Sequence, residues 1–410
     1  MEKYKSPFIA LKYRDFRLLW LGLLVSSVGT QMQIVAITWH IYEMTHSPYF
    51  LGLVGLSRFI PLLIVSPFAG IVADMLNRKK MMFIAQVIMA ITALILTVAT
   101  ITHIISPALI YIALAINSIA NAFDTPARQS LVPVIVPKKD LVNAIGLNTL
   151  MWQSSIVIGP SVAGFLIAFF GVSSIYFFNA LSFLGVMVAL LLMGPIKQII
   201  ASSTSFSLSS LKEGFAFIRR SPLIWSTMIL DFFATFFASA NVLLPVFAKD
   251  ILKVGPQGLG FLYAAPSIGA LVAGFIFSSF KEVKKQGKIL LVCIVIYGLS
   301  TIMFGLSRSF YLSLIFLAIT GVGDIISTII RNTIRQIATP DYIRGRITGI
   351  NMIFFQGGPQ LGEIEAGVVA GLVGSPFSVV IGGIGTVLAA VVVGIIVPKL
   401  RHYEGHELIG

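Results

Sequence analysis

RQSLVPVIVPKKDLVNAIGLNTLMWQSSIVIGPSVAGFLIAFFG, residues 128–171, and RNTIRQIATPDYIRGRITGINMIFFQGGPQLGEIEAGVVAGLVG, residues 331–374, lie over one another at a constant offset of 203. The pairing needs no gap. It sets Arg128 on Arg331, Pro137 on Pro340, Gly146 on Gly349, Asn148 on Asn351, Gln153 on Gln356, Gly159 on Gly362, Gly164 on Gly367 and Gly171 on Gly374. These ungapped identities mark a duplication, so the chain reads as two copies of one unit joined end to end.

Outside this pair the composition is that of a chain built for lipid. Of 410 residues 57% are hydrophobic and 11% charged, against roughly a quarter charged in an ordinary soluble domain. A hydrocarbon core about 30 Å thick needs about 20 apolar residues per helix. Twelve runs meet that need, at 17–42, 50–73, 80–102, 105–124, 141–170, 173–194, 222–247, 257–280, 288–306, 309–333, 343–372 and 376–398. The fold expected is all-α: a first six-helix bundle over 1–195, a cytoplasmic linker over 196–221 that opens with the serine-rich IKQIIASSTSFSLSSLKEG, and a second bundle over 222–410. The first apolar run is too long for a signal peptide and no small-residue cleavage site follows it, so it is expected to remain as a spanning helix.

Charge orients the array. With both ends on one side, the opposite loops hold only Lys249, Lys253 and Arg308, and Arg58 falls inside the second span, leaving 25 of the 29 basic residues on the side of the termini. The positive-inside rule places that side in the cytoplasm of a cell inner (plasma) membrane, and the net charge of +13 follows from this bias and from attraction to anionic lipid. Aromatic residues sit within the spans and do not interleave with the basic ones, so no nucleic-acid partner is expected.

Enzyme chemistry is not expected either. Cys293 is the single cysteine, which excludes an internal disulfide and a cysteine metal cluster. GHELIG at 405–410 lacks the second histidine of a zinc helix, GGIGTVL at 382–388 lies inside a span with no strand before it, and no phosphate-binding Gly-Lys-Ser/Thr loop occurs. No catalytic residue, cofactor or metal is expected. Membrane lipid and a small-molecule substrate are the expected partners, and the chain is expected to be a monomer.

GIVADMLNRKK, 70–80, between the second and third spans, resembles the signature loop of the major facilitator superfamily. Gly70, Asp74, Arg78 and Lys79 stand at the family's spacing, while Asn77 replaces a glycine; asparagine is the next most tolerant residue of a left-handed backbone. The resemblance implies a gating role for Asp74, Arg78 and Lys79. The corresponding second-half loop, GFIFSSFKEVKKQGK at 274–288, has no acid at that place, so gating would be asymmetric. SIVIGPSVAG, 155–164, resembles the Gly-Pro-x-x-Gly-Gly pattern of the superfamily's exporters, with Ala163 for the first paired glycine. Pro160 removes a backbone hydrogen bond, and Gly159 and Gly164 admit a close neighbour. The chain as a whole, with WLGLLVSSVGTQMQ, SRFIPLLIVSPFAGIVAD, DTPARQSLVP and TPDYIRGRI, is similar to the branch that holds bacterial enterobactin exporters and macrolide efflux proteins.

Charged side chains within spans are expensive and face the bundle interior or a polar cavity. Asp231 lies about 15 Å into span seven by helical rise, at the midplane. Asp324 in span ten is near enough to Arg331, two turns on, or to Arg128 across the bundle, for a structural ion pair. Glu363 and Glu365 in span eleven are about 200° apart on a helix, so one faces the substrate path and the other a neighbouring helix, unless Gly357, Gly358 and Pro359 break the helix locally. These four are the proton-coupling candidates, with Asp231 or Glu363 foremost; for each, a carboxylate that only fixes packing is the alternative. Gln31, Gln33, Arg58, Gln153, Asn241 and Gln356 are candidates to line the cavity or to bond neighbouring helices.

The function expected is secondary, proton-driven efflux of amphipathic organic molecules, with multidrug resistance as its phenotype. The alternatives are a narrow siderophore exporter and a non-transporting lipid-handling or sensor protein on the same fold.

Overall fold

The computed structural model describes residues 8–75, 77–195, 208–280, 283–340 and 343–405. Among them are twelve long helices and no strand. They are α1 (Arg14–Thr45), α2 (Pro48–Met75), α3 (Arg78–Ile101), α4 (Pro107–Ile135), α5 (Leu141–Phe170), α6 (Val172–Leu192), α7 (Pro222–Phe237), α8 (Gly255–Ser278), α9 (Gln286–Leu306), α10 (Phe310–Ala338), α11 (Arg344–Val373) and α12 (Ser375–Ile396). Eleven of the stretches are both long and apolar enough to cross a membrane. The twelfth, α11, has ample length at 30 residues and carries the two glutamates.

The duplication is written into the helix boundaries. α4, α5 and α6 begin 203 residues before α10, α11 and α12, the offset of the sequence repeat. Its identities have identifiable jobs. Gly171 and Gly374 end α5 and α11 with positive φ of 76° and 91°, a backbone that side-chain-bearing residues avoid. Their N–H groups donate to Ile167 and Ala370 carbonyls at 3.0 and 2.9 Å. Gly159 lets α5 approach α1 at Val28 and Gln31, and Gly362 lets α11 approach α7 at the Phe236 carbonyl. One small residue therefore supports the same helix pairing in each copy. Gly146 and Gly349 face open space, and packing gives no reason for that identity.

Helices outrun the apolar runs at their polar ends. Where the span 105–124 was expected, the helix begins at Pro107, one residue after the Ser106 cap, whose Oγ accepts from Leu109 N at 3.3 Å, and continues to Ile135 through Pro126 and Pro133. The run 309–333 likewise continues to Ala338. Span seven differs more. Its α-helix stops at Phe237, and the chain reaches Ile251 through a 3-10 turn at Ala240–Leu243, a short turn at Leu244–Val246 and a π-helical turn at Phe247–Ile251. The expected weak point at Gly357, Gly358 and Pro359 instead lies within an unbroken α11. Residues 196–207 of the expected linker lie outside the described residues, and its remainder contains a helix at Leu208–Arg220. That helix buries Ile218 against Ile224, Met228, Ile343, Ile347 and Ile350.

Contacts divide the chain into two compact units. One comprises Met1–Met44 and Ser57–Ser205, the other Thr45–Leu56 and Phe206–Gly410. In the first, Leu19 and Leu23 of α1, Met81 and Met82 of α3, Ala127 and Leu131 of α4, and Val186 and Leu190 of α6 form one apolar core. Gly22 of α1 backs onto the Gly185 carbonyl of α6 at 2.9 Å from where a Cβ would stand, so either helix would be pushed away by a larger residue. In the second, Leu230 and Ala234 of α7 pack with Leu290 and Ile294 of α9, Ile330 and Ile334 of α10, and Ala390 and Val393 of α12. Gly269 and Gly321 bring α8 and α10 into backbone contact at Ala318 and Pro266.

Candidate transport site

Within the second unit the sequence builds a charged stripe along one face of α10. Asp324, Thr328, Arg331 and Arg335 recur at three- and four-residue spacing, which puts them on one side of a helix. α7 supplies the partner. Arg331 Nη2 lies 3.0 Å from Asp231 Oδ1 and 3.7 Å from Asp324 Oδ1, and Arg335 Nη1 donates to Asp231 Oδ2 at 3.3 Å. The guanidinium groups are further held by Thr328 Oγ1 on Arg331 at 2.8 Å, by Asn332 Oδ1 on Arg335 at 2.6 Å and by Asn351 Oδ1 of α11. Two acids and two bases make the cluster neutral.

Burial separates the two acids. Asp231 and Arg331 are each 1% exposed, whereas the Asp324 side chain is 46% exposed. Charges as deeply buried as Asp231 and Arg331 persist only when matched and hydrogen-bonded, and two guanidinium groups do this for Asp231. Asp324 has one cation at a longer distance and an open side. Asp231 is thus a clamped counter-ion, and Asp324 meets Arg331 as the two-turn spacing predicts.

Arg331 and Arg335 correct the charge inventory. Both were counted on the side of the termini, Arg331 at the end of the run 309–333 and Arg335 beyond it, yet both lie well inside α10, with Arg335 only 7% exposed. Arg128, the alternative partner for Asp324, lies on α4 and pairs at 3.9 Å with Asp124 of its own helix. Asp124 is in turn 3.0 Å from Gln86 Nε2 of α3.

Glu363 and Glu365 lie on α11, both partly exposed. A Cβ on Gly55 would stand 3.0 Å from Glu363 Oε2, so Glu363 packs on the first turns of α2, which group with the second unit. Gly367 lies against Gly52 in the same seam. Ser239, beyond the break in α7, donates to the Pro359 carbonyl at 3.1 Å.

The signature loop is tied to its own unit. Arg78 Nη1 donates to the Ser130 carbonyl of α4 at 3.1 Å, and Lys79 Nζ donates to the Met193 carbonyl at the end of α6 at 2.8 Å, where a cation also meets the negative end of the helix dipole. Asn77 does not use a left-handed backbone. With φ −66° it caps α3, its Oδ1 accepting from Lys80 N at 3.1 Å, which explains how asparagine serves where the family has glycine. The side chain of Asp74 lies outside the described residues. In α5, Gly159, Pro160 and Gly164 are all buried within an unbroken helix.

The cavity candidates separate by environment. Gln33 is buried and accepts from Asn179 Nδ2 of α6 at 2.5 Å, so it bonds two helices together. Gln31 lies beside Gly159. Ser118 of α4 donates to the Arg58 carbonyl at 2.7 Å. Gln153 and Gln356 are partly exposed, and Asn241 sits exposed in the turn after α7. Sequence reasoning missed Arg335, Asn179, Gln86 and the His40–Tyr176 contact at 3.2 Å. For Arg335 a signal existed, since it stands four residues beyond Arg331.

The chain as a whole has known relatives. A family model described as transmembrane secretion effector matches residues 5–409. Macrolide efflux protein A of Streptococcus pyogenes is 24% identical over 327 residues, 78% of this chain and 80% of that one. Enterobactin exporter EntS of Escherichia coli K12 is 26% identical over 398 residues, 95% and 93% of the two chains. Among solved structures, a bacterial homologue of the human lysosomal transporter Spinster, inward-facing and occupied, superposes with a TM-score of 0.74 at 16% identity over 93% of this chain and 96% of that one. Nucleoside transporter NupG does so at 0.71 and 16% over 93% and 98%; both show the fold alone. The chain belongs to the transmembrane secretion effector family of the major facilitator superfamily and is a multi-span efflux transporter.

Proposed function

We propose that this transporter is a secondary exporter that drives amphipathic organic molecules outward in exchange for protons, by alternating access, from an inner (plasma) membrane with both termini in the cytoplasm. The observation that carries the reading is the neutral cluster of Asp231, Asp324, Arg331 and Arg335 inside the second unit. In this reading Asp324 carries the proton. Asp231, held by two guanidinium groups, keeps Arg331 in place. Protonating Asp324 removes one of the two attractions on Arg331 and leaves the cluster with a net charge of +1. A buried group of charges with two arrangements is the kind of element a proton can bias. Glu363 and Glu365, on the helix that supplies Asn351 to the same cluster, are the secondary coupling candidates.

Asp74, Arg78 and Lys79 act as the gate in this reading, the bonds of Arg78 to α4 and of Lys79 to α6 being remade as the bundles rock. Gly159, Pro160 and Gly164 give α5 its close bearing on α1. Gln31, Arg58, Gln153, Asn241 and Gln356 are the proposed polar contacts for cargo, with Gln33 holding the α1–α6 frame.

Two cargo classes follow from the relatives' names. Macrolide efflux protein A supports a broad amphipathic cargo; the match to EntS over 95% of the chain supports a siderophore-like one. Uptake into inverted proteoliposomes of a macrolide, a siderophore and a cationic dye, with and without an imposed proton gradient, tests both. Gradient-dependent accumulation of at least one is expected. If no compound accumulates, a non-transporting lipid-handling or sensor role gains ground; accumulation that ignores the gradient would refute proton coupling.

A further inference from the structure

Between α3 and α4 the first unit carries an open groove of about 430 Å³. Its floor is hydrocarbon: Ile84 and Ile88 from α3, Ile116 and Ile119 from α4. Ile84 is 59% exposed and Ile116 and Ile119 are each 38% exposed, so the groove faces outward from its unit. One end alone is polar. There stand Lys80 and Asn77, and the Asn77 Oδ1 is already used by Lys80 N, which leaves its amide N–H groups for another acceptor. Among the described residues the Lys80 ammonium has no hydrogen-bond or ion-pair partner.

The dimensions match one leaflet. From Lys80 to Ile88 the helix rises about 12 Å, close to half of a hydrocarbon core about 30 Å thick. A groove that is cationic at its mouth, apolar along its length and one leaflet deep complements a molecule with an anionic head and a hydrocarbon tail. We propose that it binds a single anionic phospholipid from the leaflet on the basic side of the membrane. The acyl chain lies along Ile84, Ile88, Ile116 and Ile119, and the phosphate meets the Lys80 ammonium and the Asn77 amide. Lys80 follows directly on Arg78 and Lys79, so the bound headgroup sits beside the signature loop and is placed to bias its movement. The inference rests on the membrane orientation given above and not on cargo or coupling.

Native mass spectrometry of the intact protein, loaded with phosphatidylglycerol and phosphatidylcholine in equal amount, tests it without requiring transport. One lysine at the surface is worth about a fivefold preference for the anionic lipid. The wild-type protein should show that preference, Lys80→Arg should keep it, and Lys80→Gln should bring it to near parity. Ile84→Trp, which fills the groove at an exposed position, should lower occupancy of the tightest-bound lipid. Lys138→Gln, at a different basic loop, should leave the preference unchanged. Equal preference in the wild type and Lys80→Gln would overturn the proposal. So would an equal loss in Lys138→Gln, which would assign the effect to general surface charge, or displacement of the lipid by glycerol phosphate, which would mark a site for free phosphate.

Discussion

α4 and α10 descend from one ancestral helix and share an arginine at the same place, yet they use it differently. In α4, Arg128 has a side chain 23% exposed and reaches Asp124 of its own helix at 3.9 Å. In α10, Arg331 is 1% exposed and stands between Asp231 at 3.0 Å and Asp324 at 3.7 Å. The positions aligned with Asp324 and Arg335 are Asn121 and Val132, neither of them charged, and the apolar part of α1 from 16 to 42 holds no acid to match Asp231. The second copy alone thus carries the acids and the second base that set its arginine in a buried network. Duplication supplied the frame and divergence supplied the charge.

The largest test of that contrast removes the shared arginine from each copy. Arg331→Gln leaves two carboxylates without the cation between them, and losing one partner of a buried ion pair costs about 3–5 kcal/mol. A marked fall in melting temperature and folded yield is expected, whereas Arg128→Gln, at a part-exposed intrahelical pair, should cost no more than about 1 kcal/mol. Equal losses in the two variants would mean that the burial difference has no energetic weight. Transport should fail in Arg331→Gln even where the folded fraction is recovered.

The matched glycines come next. A methyl group on Gly362 would run into the Phe236 carbonyl, and one on Gly159 would stand 3.0 Å from the Val28 carbonyl and 2.5 Å from Gln31 Cβ. Overpacking of this kind costs about 1–3 kcal/mol. Gly362→Ala and Gly159→Ala should therefore both lower thermal stability, while Gly146→Ala, whose methyl would meet nothing within 4 Å, should not lower it and should gain helix propensity. A stable Gly362→Ala would deny that the repeat preserves helix contacts.

Smaller again is the frame of the first copy. Asn179→Ala strands the Gln33 amide between α1 and α6 at a cost of about 1 kcal/mol, read as a shift in melting temperature. The smallest effect lies outside the membrane, where Tyr13 donates to Asp140 Oδ2 at 2.7 Å. That hydrogen bond, chiefly, raises the Tyr13 pKa above its ordinary 10.0. Since the folded state holds the proton more tightly, the stabilisation is complete below pH 10 and is lost as the pH rises beyond it. Tyr13→Phe should remove a small increment at neutral pH and flatten the alkaline limb of the stability profile. A profile unchanged by the substitution would show that this latch contributes nothing.

Much of the frame was legible in the sequence because the bilayer imposes length and the duplication imposes register. The offset of 203 located the starts of α10, α11 and α12 from those of α4, α5 and α6. Helix ends were less legible: hydropathy falls at DTPARQ and RNTIRQ, while the backbone continues helical because Asp124 and Arg128, or Arg331 and its acids, satisfy their charges within the bundle. For the same reason Arg335 lay beyond the expected run 309–333. Asp231 and Asp324 were visible as charges in apolar surroundings, but which carboxylate is clamped and which is open depends on contacts between α7 and α10 that no local pattern encodes. Asn77 shows the opposite error, a backbone expectation carried over from glycine where the side chain caps the helix.

The account stands or falls on the division of labour between the two acids. The most direct measurement compares gradient-driven uptake with substrate exchange at zero gradient, in the same proteoliposomes, for Asp324→Asn and Asp231→Asn. Asp324→Asn is expected to keep exchange and lose the response to the gradient, whereas Asp231→Asn, which leaves Arg331 and Arg335 without their shared counter-ion, should lose both. Full gradient-driven uptake by Asp324→Asn would contradict the account.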